Sequence, residues 1–186
     1  MIVGASRGLL RRSLVLAILL GGPGLQPVMA DSDEDDEVRP WKEVAVQFPA
    51  APVQGNLLPF YVSAATNNEF YVDGASLSVG TDGVVRYVLV VQTPGGARNV
   101  TYEGLRCETK ERRLYASGRP DGTWAESRND EWRRLQNMAA NRHHAALAFD
   151  YFCPSGVIVR DAAEARDALL RGGHPNRRKS GLDRDL

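Results

Sequence analysis

Three charged residues stand where two short motifs meet: Arg86 inside the apolar run "DGVVRYVLVVQ" (82–92), and Glu103 and Arg106 inside "YEGLRC" (102–107). An arginine among valines must find a carboxylate or a ligand anion, because a buried charge without a partner is too costly to keep. Two guanidinium groups beside one carboxylate could hold an anion on a sheet face, whereas Arg86 and Glu103 alone could form an internal ion pair. Register decides between them. Taking Gly95–Gly96 as a two-residue hairpin loop sets Pro94 opposite Ala97, so Arg86 opposes Leu105 and Glu103 becomes its diagonal neighbour on the same face. The same register lays Tyr87 over Gly104 and, with "DG" (82–83) as the preceding turn, gathers Leu77, Val88 and Leu105 around the pair. A slip of one residue would send Arg86 and Glu103 to opposite faces. The expectation is therefore a scaffold ion pair, with an anion-binding cluster of Arg86, Glu103 and Arg106 as the functional alternative.

Other chemistries find less support. "GASLS" (74–78) has a serine where a nucleophile elbow needs its second glycine, and no phosphate loop or dinucleotide fingerprint occurs. His143 and His144 are adjacent, which turns them about 100° apart on a helix or to opposite faces of a strand, and His174 lies near the C-terminal end. His143 and His144 read as surface or capping imidazoles, and no metal is expected. Glu103, Glu126, Asp130 and Asp150 could supply a pair of catalytic carboxylates in any combination, a freedom that removes the signal; Glu126 and Asp130 read as charges at a helix start. Trp41, Trp124, Tyr102 and Tyr115 could line a groove, but aromatic residues in a small sheet usually fill its core. No catalytic residue and no cofactor are assigned.

The compartment comes from the N-terminus. Arg7, Arg11 and Arg12 precede the short apolar run "SLVLAILL" (13–20), and "VMA" (28–30) offers small residues for cleavage. That succession is a secretory signal peptide, too short in its apolar part to span a bilayer. The chain expected after cleavage begins at Asp31. It carries twenty basic and twenty-three acidic residues, a net charge of −3 that gives no invitation to nucleic acid. The charge is polarised: "DSDEDDE" (31–37) is acidic and "RGGHPNRRKSGLDRDL" (171–186) largely basic, so residues 31–40 and 173–186 read as disordered flanks of one domain over 41–172. In an oxidising compartment Cys107 and Cys153 are a disulfide pair, whose loop closure contributes about 4 kcal/mol on the chain-entropy model.

Around these residues the elements follow from texture. The stretch 39–60 is proline-rich and extended, expected to lie over the domain with Trp41 and Phe48 as anchors. Between Glu69 and Trp124 apolar runs are broken by "TDG", "PGG", "TKE" and "RPDG", a meandering antiparallel sheet of four to five or more strands. Beyond it, Trp132, Leu135, Met138 and Ala139 recur at helical spacing after Asn129 and Asp130, predicting a helix over 131–142. Alternation of Leu147, Phe149, Tyr151 and Cys153 predicts a strand, and Asp161 caps a last helix that Gly172 ends. The fold class is α+β, with two helices packed on one face of the sheet.

"WKE" (41–43), "DGVVRY" (82–87), "YEGLRC" (102–107) and "DYFC" (150–153), with "GRPDGTW" between, resemble the CNP-like family of uncharacterised proteobacterial exported proteins, over about residues 40 to 172. The resemblance implies a Gram-negative cell-envelope address and no assigned activity. Some of that family look like lipoproteins. This chain has no cysteine near the expected cleavage site, so a soluble periplasmic form is expected. The reading is a non-enzymatic envelope module that binds an unidentified envelope protein or cell-wall ligand. Its rival is a small periplasmic hydrolase or anionic-ligand enzyme working at the Arg86, Glu103 and Arg106 face.

Overall fold

The computed structural model describes residues 40–136 and 138–177, so the expected signal peptide, the acidic run and the last nine residues lie outside the described residues. No helix among the described residues is long and apolar enough to cross a membrane. One antiparallel sheet organises the chain. Its spine runs β1 (Leu57–Pro59), β2 (Glu69–Asp73), β4 (Val84–Gln92), β5 (Arg98–Arg106), β6 (Glu111–Gly118) and β7 (Trp124–Glu126) in that order. Two-residue strands β3 (Ser78–Val79) and β8 (Arg133–Arg134) pair with β4 and β6.

Strand β4 is buried on both faces, which explains its unbroken apolar run. Val85, Tyr87 and Leu89 point into a large core beneath the helices, together with Leu105 and Phe70. Val88 and Val90 point the other way, into a smaller cluster with Tyr102 and Tyr115. The proline-rich N-terminal stretch covers that second face as an extended strap. Val46 packs on the cluster, Phe48 meets Tyr102 edge-on at 6.1 Å, and the Trp124 indole donates to Pro49 O at 2.7 Å. The sheet is thus a middle layer, helices on one side and strap on the other.

The hairpin register differs from the expected one, for a chemical reason. A two-residue loop would need an N–H from Pro94, which proline lacks. Closure falls instead to Thr93, whose N–H donates to Ala97 O at 2.9 Å, with Gly96 at φ 84° completing a three-residue loop. Every pair shifts by one: Arg86 opposes Gly104, and Tyr87 opposes Glu103. The turn before β4 also has three residues, with Gly80 N donating to Val84 O, so Ser78 rather than Leu77 comes beside Arg86.

The helical layer differs as well. Among the described residues no single helix spans 131–142, where only Ala139–Asn141 forms a 3-10 turn and Arg142 begins the next helix. Asn129 accepts from Glu131 N in a local turn, Arg133–Arg134 joins β6 as an edge strand, and Trp132 packs edge-on against Trp41 at 5.8 Å. The expected strand at 146–153 is helical: α1 (Arg142–Ala146) continues as a π-helical segment, Leu147–Phe152. Leu147, Ala148, Tyr151 and Phe152 are buried while Phe149 is 45% exposed, so the alternation concealed a helical stripe. Helix α2 (Ala162–Leu170) begins as expected, with Asp161 accepting from Glu164 N at 2.8 Å, and buries Ala165, Ala168 and Leu169. Past Gly172 the chain stays packed: His174 is 5% exposed and its N–H donates to Asp150 O at 2.7 Å.

Candidate functional site

The three residues singled out by sequence part company. Arg86 and Arg106 lie on the strap face of the sheet, while Glu103, one position along from the glycine opposite Arg86, points under the helices. The Arg86–Glu103 pair is therefore replaced by two separate arrangements.

On the strap face, Arg86 is 5% exposed and grips two carboxylates. Its Nη1 and Nη2 bond both oxygens of Asp82 at 3.2 and 2.6 Å, and Nη2 also donates to Glu43 Oε1 at 3.1 Å. Asp82 comes from the turn before β4. Glu43 comes from the strap, where it also accepts from Arg113 and, at 2.5 Å, from the Tyr115 hydroxyl. Asp82 fastens the strap a second time by accepting from Val44 N at 3.0 Å and, through its carbonyl, from the Trp41 indole at 2.8 Å. Burial works against the charge of Asp82, yet the Arg86 hydrogen bonds hold its carboxyl below the usual range. Tyr115 is driven well above the ordinary phenol value by burial and by its bond to the Glu43 carboxylate. Arg106 spreads its guanidinium over Trp41, 3.8 Å from the ring centroid, and reaches exposed Glu108 at 3.2 Å.

Gly104 has a role on this face. A β-bulge between Tyr102 and Glu103 brings Tyr115 across Gly104, where a Cβ would collide with the hydroxyl and stand 2.8 Å from Cζ. An aromatic ring covers that glycine as expected, but the ring is Tyr115, not Tyr87.

Beneath the helices, Glu103 is 2% exposed. Thr101 Oγ1 donates to it at 2.8 Å, Tyr87 Oη at 3.3 Å, and His144 Nε2 stands 2.8 Å away, off the line of an ideal hydrogen bond. Burial opposes the Glu103 charge, but His144 and the nearby Arg112 overcome it and bring the carboxyl down to about 2. His143 stacks on Phe70 at 5.3 Å, and burial lowers it to about 4. His174 faces Glu164 at 3.3 Å. His143 and His144 are packed between helix and sheet, His174 is buried within the helical layer, and among the described residues no three metal-ligating groups converge. Glu126 lies in β7 and Asp130 pairs with Arg113 at 2.8 Å, so neither starts a helix.

The expected disulfide is present: Cys107 and Cys153 are bonded, with Cα atoms 5.4 Å apart, joining the end of β5 to the end of the π-helical segment. Above it opens a cleft of about 250 Å³ that sequence reasoning did not foresee. The disulfide, Ala148, Leu135 and Phe149 line it, together with Lys110, Ser155 and Gly156. Three departures from regular backbone meet here. Lys110 and Ser155 have φ of 54° and 56°, left-handed values uncommon outside glycine, and Cys153 N reaches back five residues to Ala148 O at 2.7 Å. A sequence sign existed: Phe149 is the apolar residue of 146–153 that a helical stripe leaves outside.

The model of the CNP1-like family matches residues 36–170. No curated protein matches the chain, and no solved structure matches it. The matched range takes in all four short motifs. They are motifs of contact: Trp41 and Glu43 meet Asp82, Arg86 and Arg106, while Cys107 meets Cys153.

Proposed function

The chain belongs to the CNP1-like family, and from that membership and the geometry above we propose that it is an exported, non-enzymatic binding module of the cell envelope, periplasmic and soluble once residues 1–30 are removed. The observation that carries the reading is the internal use of its best chemical groups. Arg86 is paired with Asp82 and Glu43, and Glu103 is engaged by the Thr101 and Tyr87 hydroxyls with His144 beside it. Two of these contacts, Arg86 with Glu43 and Glu103 with His144, join the sheet to the layers on either side. An anion at Arg86 would have to displace two carboxylates that the chain itself supplies, one of them delivered by the covering strap. A hydrolase acting through Arg86, Glu103 and Arg106 together finds no support in a register that parts Glu103 from the two arginines.

Export is supported by the Cys107–Cys153 bond, which persists in oxidising compartments. The module would engage its partner through an outer surface held rigid by strap and disulfide. Intact-mass analysis of osmotic-shock extract from cells expressing the whole chain tests this. The expected species starts at Asp31 and is two hydrogens lighter than the reduced chain. Full-length protein confined to the membrane fraction, with two alkylatable thiols, would overturn it.

A further inference from the structure

We propose that the cleft above the disulfide binds a small amphipathic anion, its apolar chain or ring lying against Phe149, Leu135 and the Cys107–Cys153 bond and its carboxylate or phosphate head meeting Lys110. The proposal deepens the binding-module reading and rests on it.

The size and lining set the ligand class. An apolar cavity of about 150 Å³ can hold benzene, so the 250 Å³ here leaves room for a chain of about eight carbons or a ring with a short arm. The walls offer few polar groups. Ser155 already donates its hydroxyl to Asn176 O at 2.9 Å, so it is engaged within the chain. Phe149, which lines the cleft, leaves 45% of its surface uncovered, apolar area that a ligand would remove from water. Lys110 supplies the charge. Among the described residues no carboxylate pairs with its ammonium, whereas nearby Arg106 has Glu108. A cation in the lining of an apolar slot complements a molecule with an apolar body and one anionic end.

The backbone gives the second, independent observation. π-helical turns and left-handed non-glycine residues each cost free energy, and they gather where a surface is shaped for a ligand. Here one cleft collects the π-helical segment, Lys110 and Ser155, the last two being the positive-φ residues other than glycine among those described. Phe149 lines the cleft while Leu147, Tyr151 and Phe152 of the same segment stay in the core.

Octanoate, octyl phosphate and octanol, titrated into the ¹⁵N-labelled disulfide-intact protein and followed by amide shifts, test the proposal. Saturable shifts centred on Lys110, Leu135, Phe149 and Ser155 are expected, with either anion binding more tightly than octanol. Lys110→Gln should weaken the anions about fivefold and leave octanol unchanged, Lys110→Arg should restore them, and Phe149→Ser should weaken all three. Both sites are exposed, so the variants should stay folded, which their unshifted core amides would verify. Shifts centred elsewhere, equal anion binding in Lys110→Gln, or no saturable binding of any probe would overturn the proposal. None of these would touch export or cleavage, which the mass measurement judges separately.

Discussion

Replacing Arg86 by alanine should release the strap from one face of the sheet. The substitution removes three hydrogen bonds, two to Asp82 and one to Glu43, from a place where the side chains of Arg86, Asp82 and Glu43 are 6%, 1% and 12% exposed. Breaking a buried pair by deleting one partner costs about 3–5 kcal/mol. The lower end applies here, because Asp82 keeps the Val84 amide and both carboxylates regain water as the strap lifts. We expect about 3 kcal/mol for Arg86→Ala and about the same for Glu43→Ala. The double variant should fall short of their sum by about 1–2 kcal/mol, since neither charge then lacks the other. Urea unfolding of the four proteins, with the disulfide intact, measures the cycle. A second cycle is the control: Arg86→Ala with Glu103→Gln should be additive within about 0.5 kcal/mol, because the sheet lies between the two side chains. Coupling between Arg86 and Glu103, with none between Arg86 and Glu43, would refute the register and the strap together.

Gly104→Ala should cost about 1–3 kcal/mol in thermal or urea unfolding, and much less in a Tyr115→Ala background that clears the overlying ring. Stability should fall as acid is added. His143, depressed from 6.5 to about 4, contributes stability that is full above 6.5 and lost as pH falls toward 4; Glu103, depressed from 4.5 to about 2, contributes stability that is full above 4.5 and lost toward 2. Urea midpoints measured from pH 7 to 3 should therefore drop throughout, and Glu103→Gln should flatten the curve below 4.5 in particular. Reducing the Cys107–Cys153 bond, which closes a loop of 46 residues, should lower stability by about 4 kcal/mol without changing the fold seen by circular dichroism.

The sheet was legible because turns and apolar runs mark it locally. The position of each side chain was not, because a single proline moved the register. With Pro94 unable to donate, the loop grew by one residue and Glu103 crossed to the helix side. The arginine's need for a carboxylate was sound physics; one partner, Asp82, stood four residues away in the preceding turn, and the other, Glu43, came from 43 residues upstream, a separation that no local pattern encodes. Trp41 was readable as an anchor, but not that it meets Trp132 edge-on in a stretch that pairs with β6 despite its helical spacing. Leu147, Phe149 and Tyr151 satisfy alternation as well as they satisfy a helix, and only the burial of Ala148 and Phe152 beside them separates the two. The cleft was invisible because its lining comes from three separated stretches, 107–110, 135 and 148–156.

Whether the strap covers the Arg86 face in solution is answered most directly at one amide. Val44 N–H donates to Asp82 Oδ2 at 3.0 Å, a bond that exists only while the strap is closed. Native-state hydrogen exchange at Val44 should be slowed at least about 100-fold relative to an unstructured peptide, and should lose most of that protection in Arg86→Ala while β4 amides such as Val88 keep theirs. Exchange at the unprotected rate in the wild-type protein would mean an open face and an available arginine, and would return Arg86 to the list of binding residues.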